Sequence, residues 1–348
     1  MTDPVRGGSA IPVLPPRLSL ARLPTPLRYL ERLSATLPGD TRIWVKHDDL
    51  TSTELSGNKI RKLEFTLAQA LAEGCDTLIT CGGLQSNHCR TTALVGARLG
   101  LSVHLLLRGE APVAPHHADG NLLLDQLSGA TLHFIPEQDY ATHPEVAREL
   151  IATLATQGRK AFFIPIGASD EIGLWGYVAA GEELRADFAH HHIRPDAVVC
   201  ATGSGGTQSG LIAANALYEL ETRVLAFAVC DDATWFEHKV RRDLRRWAAR
   251  YEALLPTSFD VEQLAIETCD AYIGPGYAKA GPEIFETIAL LARTEGLILD
   301  PVYTGKAFHG LLQESRRGRL QGARDIVFIH TGGIFGLFPQ RHGFAREQ

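Results

Sequence analysis

Short, nearly uninterrupted apolar segments alternate with helical patterns along most of this chain, and this alternation restricts the possible fold more than any other feature. Apolar segments without polar alternation are typical of strands in parallel sheets that helices cover on both faces. We therefore predict an α/β fold whose ligand lies at the carboxyl ends of the strands, where loops lead into helices. The predicted strands are 43–46, 77–81, 102–107, 161–165, 197–201, 224–229 and 326–330.

Length, composition and charge exclude several classes of protein. A chain of 348 residues with 45% hydrophobic content can bury a full core and is expected to form two domains. Its formal net charge of -6 does not indicate a polyanion-binding surface, so no nucleic-acid partner is predicted. No apolar segment approaches the roughly 20 residues needed to span a bilayer, and no membrane partner is predicted. The first 16 residues lack the pattern of a secretory signal.

The cysteines and histidines do not form metal-binding patterns. The six cysteines show no CxxC pairing, which predicts reduced, buried thiols in a cytoplasmic protein. The histidine tracts 190–192 and 116–117 stand in predicted connecting segments, where a surface position is the better interpretation. No metal site is therefore predicted. The arginine-rich stretch 241–246 is interpreted in the same way, as a solvated helix face.

Two lysines three residues apart, Lys59 and Lys62, stand at the predicted start of a helix. Lysine can lose its proton and form a Schiff base with an aldehyde cofactor. A second lysine one helical turn further on shares the same face of the helix and can hold a phosphate group. The pair therefore predicts a site for a phosphorylated aldehyde.

A glycine-rich loop predicts an anion-binding site at the start of another helix, since glycines allow backbone N–H groups to converge there. A dinucleotide site is poorly supported because no third glycine follows at the required spacing, and the Gly-Lys-Ser/Thr of a Walker loop is missing. A tight turn without a ligand remains the alternative. The loop comprises Thr202, Gly203, Ser204, Gly205, Gly206 and Thr207, with the helix predicted over 208–218.

Ser86 and Asn87 follow a predicted strand and a Gly-Gly turn, which places both at a helix N-terminus. This position suits a carboxylate or phenolate oxygen, and the amide of Asn87 can donate to a ring hydroxyl. Ser86 can equally act as the helix cap alone. Taken with the lysine pair and the glycine loop, these residues indicate pyridoxal 5'-phosphate.

The chain resembles fold-type II pyridoxal-phosphate enzymes of the D-cysteine desulfhydrase and 1-aminocyclopropane-1-carboxylate (ACC) deaminase family. The resemblance extends over about 24–338. It is carried by Pro24-Thr25-Pro26-Leu27, Lys46-His47-Asp48-Asp49, Gly57-Asn58-Lys59, Arg61-Lys62-Leu63-Glu64, Gln85-Ser86-Asn87-His88, Gly203-Ser204-Gly205-Gly206-Thr207, Gly274-Pro275-Gly276-Tyr277, 299–306 and His330-Thr331-Gly332-Gly333.

The resemblance implies a fold of two three-layer α/β/α domains with parallel-rich sheets and the cofactor in the cleft between them. The large domain would comprise 1–63 and 176–348, with 64–175 inserted as the small domain. A homodimer is also implied. The cofactor cleft between the domains, the domain boundaries and the homodimer come from the resemblance and not from composition or spacing.

The resemblance further implies a role for each site residue. Lys59 resembles the Schiff-base lysine that also moves the substrate α-proton. Lys62 and the loop from Thr202 to Thr207 resemble the phosphate site, and Asn87 resembles the partner of the ring hydroxyl. Ser86 would bind the substrate carboxylate or assist proton transfer, and Tyr277 and Tyr303 would line the reacting side.

Two threonines separate the chemistries of the family. Thr304 would stand at the pyridine nitrogen, where the deaminases carry a glutamate, and Thr331 replaces a leucine typical of the deaminases. A hydroxyl offers no negative charge to the ring nitrogen, so the cofactor would be a weaker electron sink. Such a sink suffices for a good leaving group on the β-carbon, which favours conversion of D-cysteine to pyruvate, hydrogen sulfide and ammonia over ACC deamination.

Several alternatives remain open at the level of the sequence. Ser56, Trp175, Phe335 and the stretch 231–250 depart from the desulfhydrase pattern, and they would change the substrate if they reached the pocket. L-Cysteate, losing sulfite, or another β-substituted amino acid would then be the substrate. A non-catalytic pyridoxal-phosphate-binding protein is the alternative of a different class, and a nicotinamide oxidoreductase is a more remote one.

Overall fold

Two separate β-sheets form the framework of the protein, a computed structural model that describes residues 12–110, 112–113 and 115–344. The strands within these residues are β1 (Leu27–Tyr29), β2 (Arg42–Lys46), β3 (Thr77–Gly83), β4 (Ser102–Gly109), β5 (Thr131–Pro136), β6 (Ala161–Ile164), β7 (Ala197–Thr202), β8 (Arg223–Ala228), β9 (Glu267–Cys269) and β10 (Asp325–Ile329).

Helices connect most of these strands, as parallel pairing requires. They are α1 (Glu31–Ser34), α2 (Lys59–Ala72), α3 (Asn87–Arg98), α4 (Gly120–Leu127), α5 (His143–Thr156), α6 (Trp175–His190), α7 (Gly206–Leu217), α8 (Ala233–Arg250), α9 (Pro282–Glu295), α10 (Thr304–Arg317) and α11 (Ile334–Leu337). None of the helices in the described ranges has the length and apolarity that a membrane span would require.

The larger sheet has six strands in the order β1-β2-β10-β7-β8-β9, and the smaller has four in the order β5-β4-β3-β6. All described pairings are parallel except that of β1 with β2. The predicted α/β class with parallel-rich sheets is therefore confirmed. The strands of the smaller sheet all fall within 64–175, but the domain boundaries themselves stay a prediction.

Apolar residues on both faces of each sheet explain why the strands lack polar alternation. In β7, Val198 and Cys200 pack into one apolar cluster while Val199 packs into the cluster on the opposite face. The smaller sheet repeats this arrangement, with Leu78 and Ile79 of β3 in different clusters. Successive side chains of a strand point to opposite faces, so a sheet covered by helices on both sides needs apolar residues at every position.

One helix begins earlier than the sequence pattern predicts. Helix α7 begins at Gly206 rather than at 208, because Gly205 at the N-cap has φ +82° and turns the chain directly into the helix. Helix α2 begins at Lys59, the first of the two lysines predicted at a helix start. The glycine loop is therefore shorter than predicted, and Gly206 and Thr207 belong to the first helical turn.

The cysteines are free, as expected, but not all of them are buried. Five are buried, whereas Cys230 is partly exposed on the wall of the cavity described below. The prediction of uniformly buried thiols is wrong at this position because Cys230 follows β8, at the edge of the sheet where the strands end and the cavity begins.

Candidate active site

A cavity of about 700 Å³ lies where the carboxyl ends of strands from both sheets meet helix N-termini. Its wall includes the end of β3 and the start of α3 from the smaller sheet, and the loop after β7 and Thr331 after β10 from the larger sheet. This is the position predicted for a ligand in a parallel α/β fold. Most of the predicted site residues lie on this wall: Lys59, Ser86, Asn87, Thr202, Gly203, Ser204, Gly205, Thr207, Tyr277, Tyr303 and Thr331.

Lys59 is the first residue of α2, and its amine opens into the cavity. The preceding turn depends on Gly57, whose φ of +110° lets the chain pass so close to Thr331 that an added Cβ would lie 2.7 Å from the Thr331 carbonyl oxygen. Burial lowers the pKa of Lys59 from 10.5 to about 8. A lysine with this pKa is partly uncharged near neutral pH, which both Schiff-base formation and proton abstraction require.

The glycine loop forms a cradle around the N-terminus of α7. A Cβ added at Gly206 would lie 2.5 Å from Ser169 Oγ and 2.9 Å from Lys62 Nζ, so only glycine fits there. Hydroxyl groups surround the loop: Ser204 Oγ lies 2.8 Å from Ser169 Oγ, and Thr207 Oγ1 accepts a hydrogen bond from Asn58. Backbone N–H groups at a helix start together with hydroxyl groups form an anion site of the kind that binds phosphate.

Lys62 lies behind the cradle rather than on the cavity wall. Its Nζ donates to Gly167 O and to Ser169 Oγ, each at 3.2 Å, and the side chain is fully buried. Burial and the positive charges of Lys59 and Lys239 hold the pKa of Lys62 well below its ordinary value. The structure therefore places the Lys62 amine next to Gly206, beneath the predicted phosphate position.

Ser86 and Asn87 lie at the start of α3 and face the cavity. Ser86 is the N-cap, since its Oγ accepts a hydrogen bond from the backbone N–H of Cys89 at 3.2 Å. The carbonyl oxygen of the Asn87 side chain accepts from Asn121 at 2.9 Å, and the amide N–H groups of Asn87 have no partner among the described residues. Sequence reasoning missed Asn121, which orients Asn87, because Asn121 lies 34 residues further along the chain and belongs to no motif.

Tyr277 and Tyr303 share the opposite part of the wall, and their hydroxyl oxygens lie 2.6 Å apart. Burial raises the pKa of Tyr277, and burial together with the Tyr277 hydroxyl holds the pKa of Tyr303 well above its ordinary value. Both phenols are therefore protonated at neutral pH. The buried carboxylate of Asp300 fixes this segment by accepting from the backbone N–H of Tyr303 at 2.9 Å.

The two threonines that distinguish the family's chemistries occupy different environments. Thr331 lies on the cavity wall. Thr304 does not: it is fully buried, and its hydroxyl both donates to the Asp300 carboxylate at 2.7 Å and accepts from the Asp300 backbone N–H at 2.8 Å. That Thr304 stands at the ring nitrogen stays a prediction; the structure shows that Asp300 already engages its hydroxyl at the start of α10.

The aromatic residues that depart from the family pattern lie mostly away from the cavity. Trp175 is fully buried and packs edge-on against Trp247, while Phe335 lies under the guanidinium of Arg90 at 5.0 Å. Neither is a wall residue, and neither is Ser56. Four residues of the divergent stretch 231–250 do reach the wall: Asp231, Trp235, Lys239 and Arg242; of these, Trp235 is 41% exposed.

Two cationic residues on the wall were missed by sequence reasoning. Lys239 of α8 lies against the glycine loop, with its Nζ 4.0 Å from the position of a Cβ added at Gly205, and it forms an ion pair with Asp243. Arg108, at the end of β4, lies over the ring of Tyr277. Spacing alone could not identify either residue, because each meets the site only through tertiary packing.

These residues fit pyridoxal 5'-phosphate. The cradle at Gly206 and the neighbouring lysines provide for the phosphate, and Asn87 has free donors for the ring hydroxyl. The amine of Lys59 lies next to the phosphate cradle, and both border Gly167. A Cβ added at Gly167 would lie 3.1 Å from Lys59 Nζ and 2.5 Å from Ser204 Oγ of the cradle. A lysine of lowered pKa beside a phosphate cradle, in one cavity between two parallel sheets, defines a pyridoxal-phosphate enzyme of fold type II.

Comparison with known families agrees with this assignment. The chain belongs to the pyridoxal-phosphate dependent enzyme family, whose profile it matches over residues 18–332. The family assignment, the cofactor and the enzymatic character predicted from the sequence are thereby confirmed, and the protein is a pyridoxal-phosphate dependent enzyme.

Individual relatives are similar over nearly the whole chain. It is 39% identical to D-cysteine desulfhydrase of Salmonella paratyphi A, covering 93% of this chain and 95% of that protein. It is 39% identical to the bifunctional D-cysteine desulfhydrase/1-aminocyclopropane-1-carboxylate deaminase of Arabidopsis thaliana, covering 92% of this chain and 79% of that protein. A solved structure of an ACC deaminase homologue superimposes with a TM-score of 0.83 at 35% identity, over 94% of this chain and 95% of the other.

Proposed function

We propose that this enzyme eliminates the β-substituent of a small amino acid and that D-cysteine is its substrate, with pyruvate, hydrogen sulfide and ammonia as products. The observation that carries the proposal is the shared cavity. The amine of Lys59, the helix start at Ser86 and the hydrogen-bonded pair of Tyr277 and Tyr303 all open into it. These are a base, a carboxylate site and a proton donor, which are the three groups that the reaction needs.

Pyridoxal phosphate, when bound, supplies the electron sink that stabilises negative charge at the substrate α-carbon. We assign the other functions to the chain. Lys59 takes the α-proton on Nζ, which its lowered pKa permits near neutral pH. Ser86 and the N-terminus of α3 hold the substrate carboxylate. The paired hydroxyls of Tyr277 and Tyr303, both protonated, provide a proton for the departing sulfur.

The described part of the cavity wall carries no buried carboxylate, which supports elimination over ring opening. Among the described wall residues Asp231 is the single carboxylate, and it is exposed to solvent. Thr331, with a neutral hydroxyl, is therefore the residue we assign to the pyridine nitrogen in place of Thr304. A neutral partner makes a weaker electron sink, which suffices for a sulfur leaving group on the β-carbon and is poorly suited to cyclopropane opening.

The experiment that tests the proposal is product release from purified, cofactor-loaded protein. D-Cysteine and L-cysteine are supplied in parallel, and pyruvate and sulfide are measured together. Equal release of both products from D-cysteine, with little from L-cysteine, is the expected result. A protein that carries the cofactor but releases neither product from D-cysteine would overturn the substrate assignment while leaving the family unchanged.

The division into domains and the assembly state are proposals of the same kind. We propose a large domain of residues 1–63 and 176–348, a small inserted domain of residues 64–175, and a homodimer. The separate sheets support the domain division, since every strand of the four-stranded sheet lies between Thr77 and Ile164. Sedimentation equilibrium would decide the assembly state, and a monomer at micromolar concentration would contradict the dimer.

A further inference from the structure

The guanidinium of Arg108 is a cation on the cavity wall whose role the proposed reaction does not yet explain. Arg108 is half-buried near the end of β4, next to Gly83 of β3 in the sheet register. Its Cζ lies 5.2 Å from the ring centre of Tyr277 and 5.4 Å from that of Tyr140. The two aromatic faces hold the guanidinium in place through cation–π contacts without using its N–H donors.

The guanidinium of Arg108 has no hydrogen bond or ion pair with any residue in the described part of the chain, although its backbone pairs in the sheet. The buried Arg61 shows the contrast, since its guanidinium donates to Asp48 and to Glu183. An arginine in a partly desolvated cavity ordinarily has an acceptor, because its planar set of donors matches a carboxylate or a similar anion. The free donors of Arg108 therefore point to a negatively charged ligand.

The other cations near the cavity already have partners or assignments. Lys59 is assigned to the cofactor aldehyde, and Lys239 lies against the glycine loop and pairs with Asp243. Arg242 is 57% exposed at the rim, beside the same carboxylate. The phosphate is provided for by the glycine loop, and the substrate carboxylate by the N-terminus of α3. Arg108, next to the reacting-side Tyr277, remains for an additional anion.

We propose that Arg108 selects substrates whose β-substituent carries a negative charge, such as the thiolate of cysteine or the sulfonate of cysteate. This inference rests on the proposed elimination. In that reaction the bond between the β-carbon and sulfur breaks, and its electron pair leaves with the sulfur. A sulfonate leaves as sulfite, whereas a thiolate takes a proton from the Tyr277 and Tyr303 pair and leaves as hydrosulfide. The α-proton goes to Lys59. The guanidinium binds the anion before and after the bond breaks and is not consumed.

The first test compares substrates in the variant Arg108→Gln. Loss of one charge-assisted contact should lower kcat/KM for D-cysteine by about 10- to 100-fold. β-Chloro-D-alanine has a neutral substituent and should be turned over within about 3-fold of the unaltered enzyme. Arg108→Lys, which keeps the charge, should recover part of the loss. An equal loss on both substrates would overturn the proposal, since it would indicate a structural role or contact with the α-carboxylate.

The second test measures binding and does not depend on turnover. The visible absorption of the bound cofactor is followed while alanine or cysteate, as both enantiomers, is added. Arg108→Gln should weaken cysteate binding by about 10-fold or more and leave alanine binding nearly unchanged. Arg185→Gln is the matched control, because Arg185 lies over Tyr218 at 5.8 Å, outside the cavity wall. Equal weakening for alanine and cysteate would refute the role of Arg108 even in a protein that does not turn over D-cysteine.

Discussion

The hydroxyl oxygens of Tyr277 and Tyr303 lie 2.6 Å apart on the wall of the cavity, with their rings meeting edge to face. The two residues come from different parts of the chain, and Asp300 holds the backbone of Tyr303 at the start of α10. Because both phenols keep their protons at neutral pH, each hydroxyl can donate while its neighbour accepts. When one phenol gives its proton to a group in the cavity, the other hydroxyl can therefore donate a hydrogen bond to the phenolate that remains.

Removing one hydroxyl from this pair should impair catalysis more than stability. We expect Tyr303→Phe to lower kcat/KM for D-cysteine by about 10- to 100-fold, while the free energy of unfolding falls by only about 1 kcal/mol. Steady-state kinetics and urea denaturation measure the two effects. Tyr272→Phe is the matched control, since the Tyr272 hydroxyl donates to Glu314 away from the cavity wall. Similar kinetics for the two variants would contradict the assigned role.

Lys59 should be indispensable. Replacing Lys59 by Ala should reduce turnover by about a thousand-fold or more, because it removes both the amine that holds the cofactor and the base for the α-proton. The visible absorption of the bound cofactor should change in the same variant. Lys160→Ala, at an exposed lysine, should leave both properties unaltered. Substantial turnover by Lys59→Ala would refute the assignment.

The phosphate cradle should not tolerate a methyl group. In Gly206→Ala the new Cβ would meet Ser169 Oγ at 2.5 Å and Lys62 Nζ at 2.9 Å, so the loop must move. We expect the dissociation constant for pyridoxal phosphate to rise by about 10-fold or more. Gly336→Ala provides the comparison, because a Cβ at that helical glycine has only an ordinary contact of 3.7 Å with Asn121. Fluorescence titration of cofactor-free protein measures both, and unchanged affinity in Gly206→Ala would rule out the cradle as the phosphate site.

Replacing the two threonines should have different effects: the change at Thr331 should alter catalysis, and the change at Thr304 should lower stability. Thr331→Val removes a hydroxyl on the cavity wall and is expected to alter the cofactor spectrum and kcat, with little change in stability. Thr304→Val removes a buried hydroxyl bonded to Asp300 and should lower the free energy of unfolding by about 1–3 kcal/mol. Absorption spectra and urea denaturation of both variants test this. A spectral change confined to Thr304→Val would restore Thr304 as the residue at the ring nitrogen.

Asp125 should make stability depend on pH. It is fully buried, neither carboxyl oxygen has a hydrogen-bond partner in the described chain, and burial raises its pKa from 3.8 to about 8. Between these values the folded chain binds one more proton than the unfolded chain, so stability must fall as the pH rises. Relative to Asp125→Asn, the unaltered protein should lose up to about 1.4 kcal/mol per pH unit across this window. Urea denaturation at several pH values measures the difference, and parallel pH profiles would contradict it.

Local sequence patterns were sufficient to predict much of the fold and part of the candidate site. The apolar strands are predictable because a sheet covered on both faces needs apolar residues at every position. Lys59, Ser86 and the loop from Thr202 to Thr207 are predictable because each belongs to a short segment whose backbone and side chains act together at a strand end or helix start. For these residues, neighbours in sequence are also neighbours in the site.

Tertiary packing decided the remainder. Thr304 and Thr331 look equivalent in the sequence, yet Asp300 ties the first into the core and the second reaches the cavity. Arg108, Lys239 and Asn121 carry no local motif, and each meets the site through a chain segment far away in sequence. The sequence by itself determined the fold class, the cofactor and the lysine proposed to hold it. Only the packed structure decided which polar side chains face the substrate, because that depends on distances between segments that local patterns do not encode.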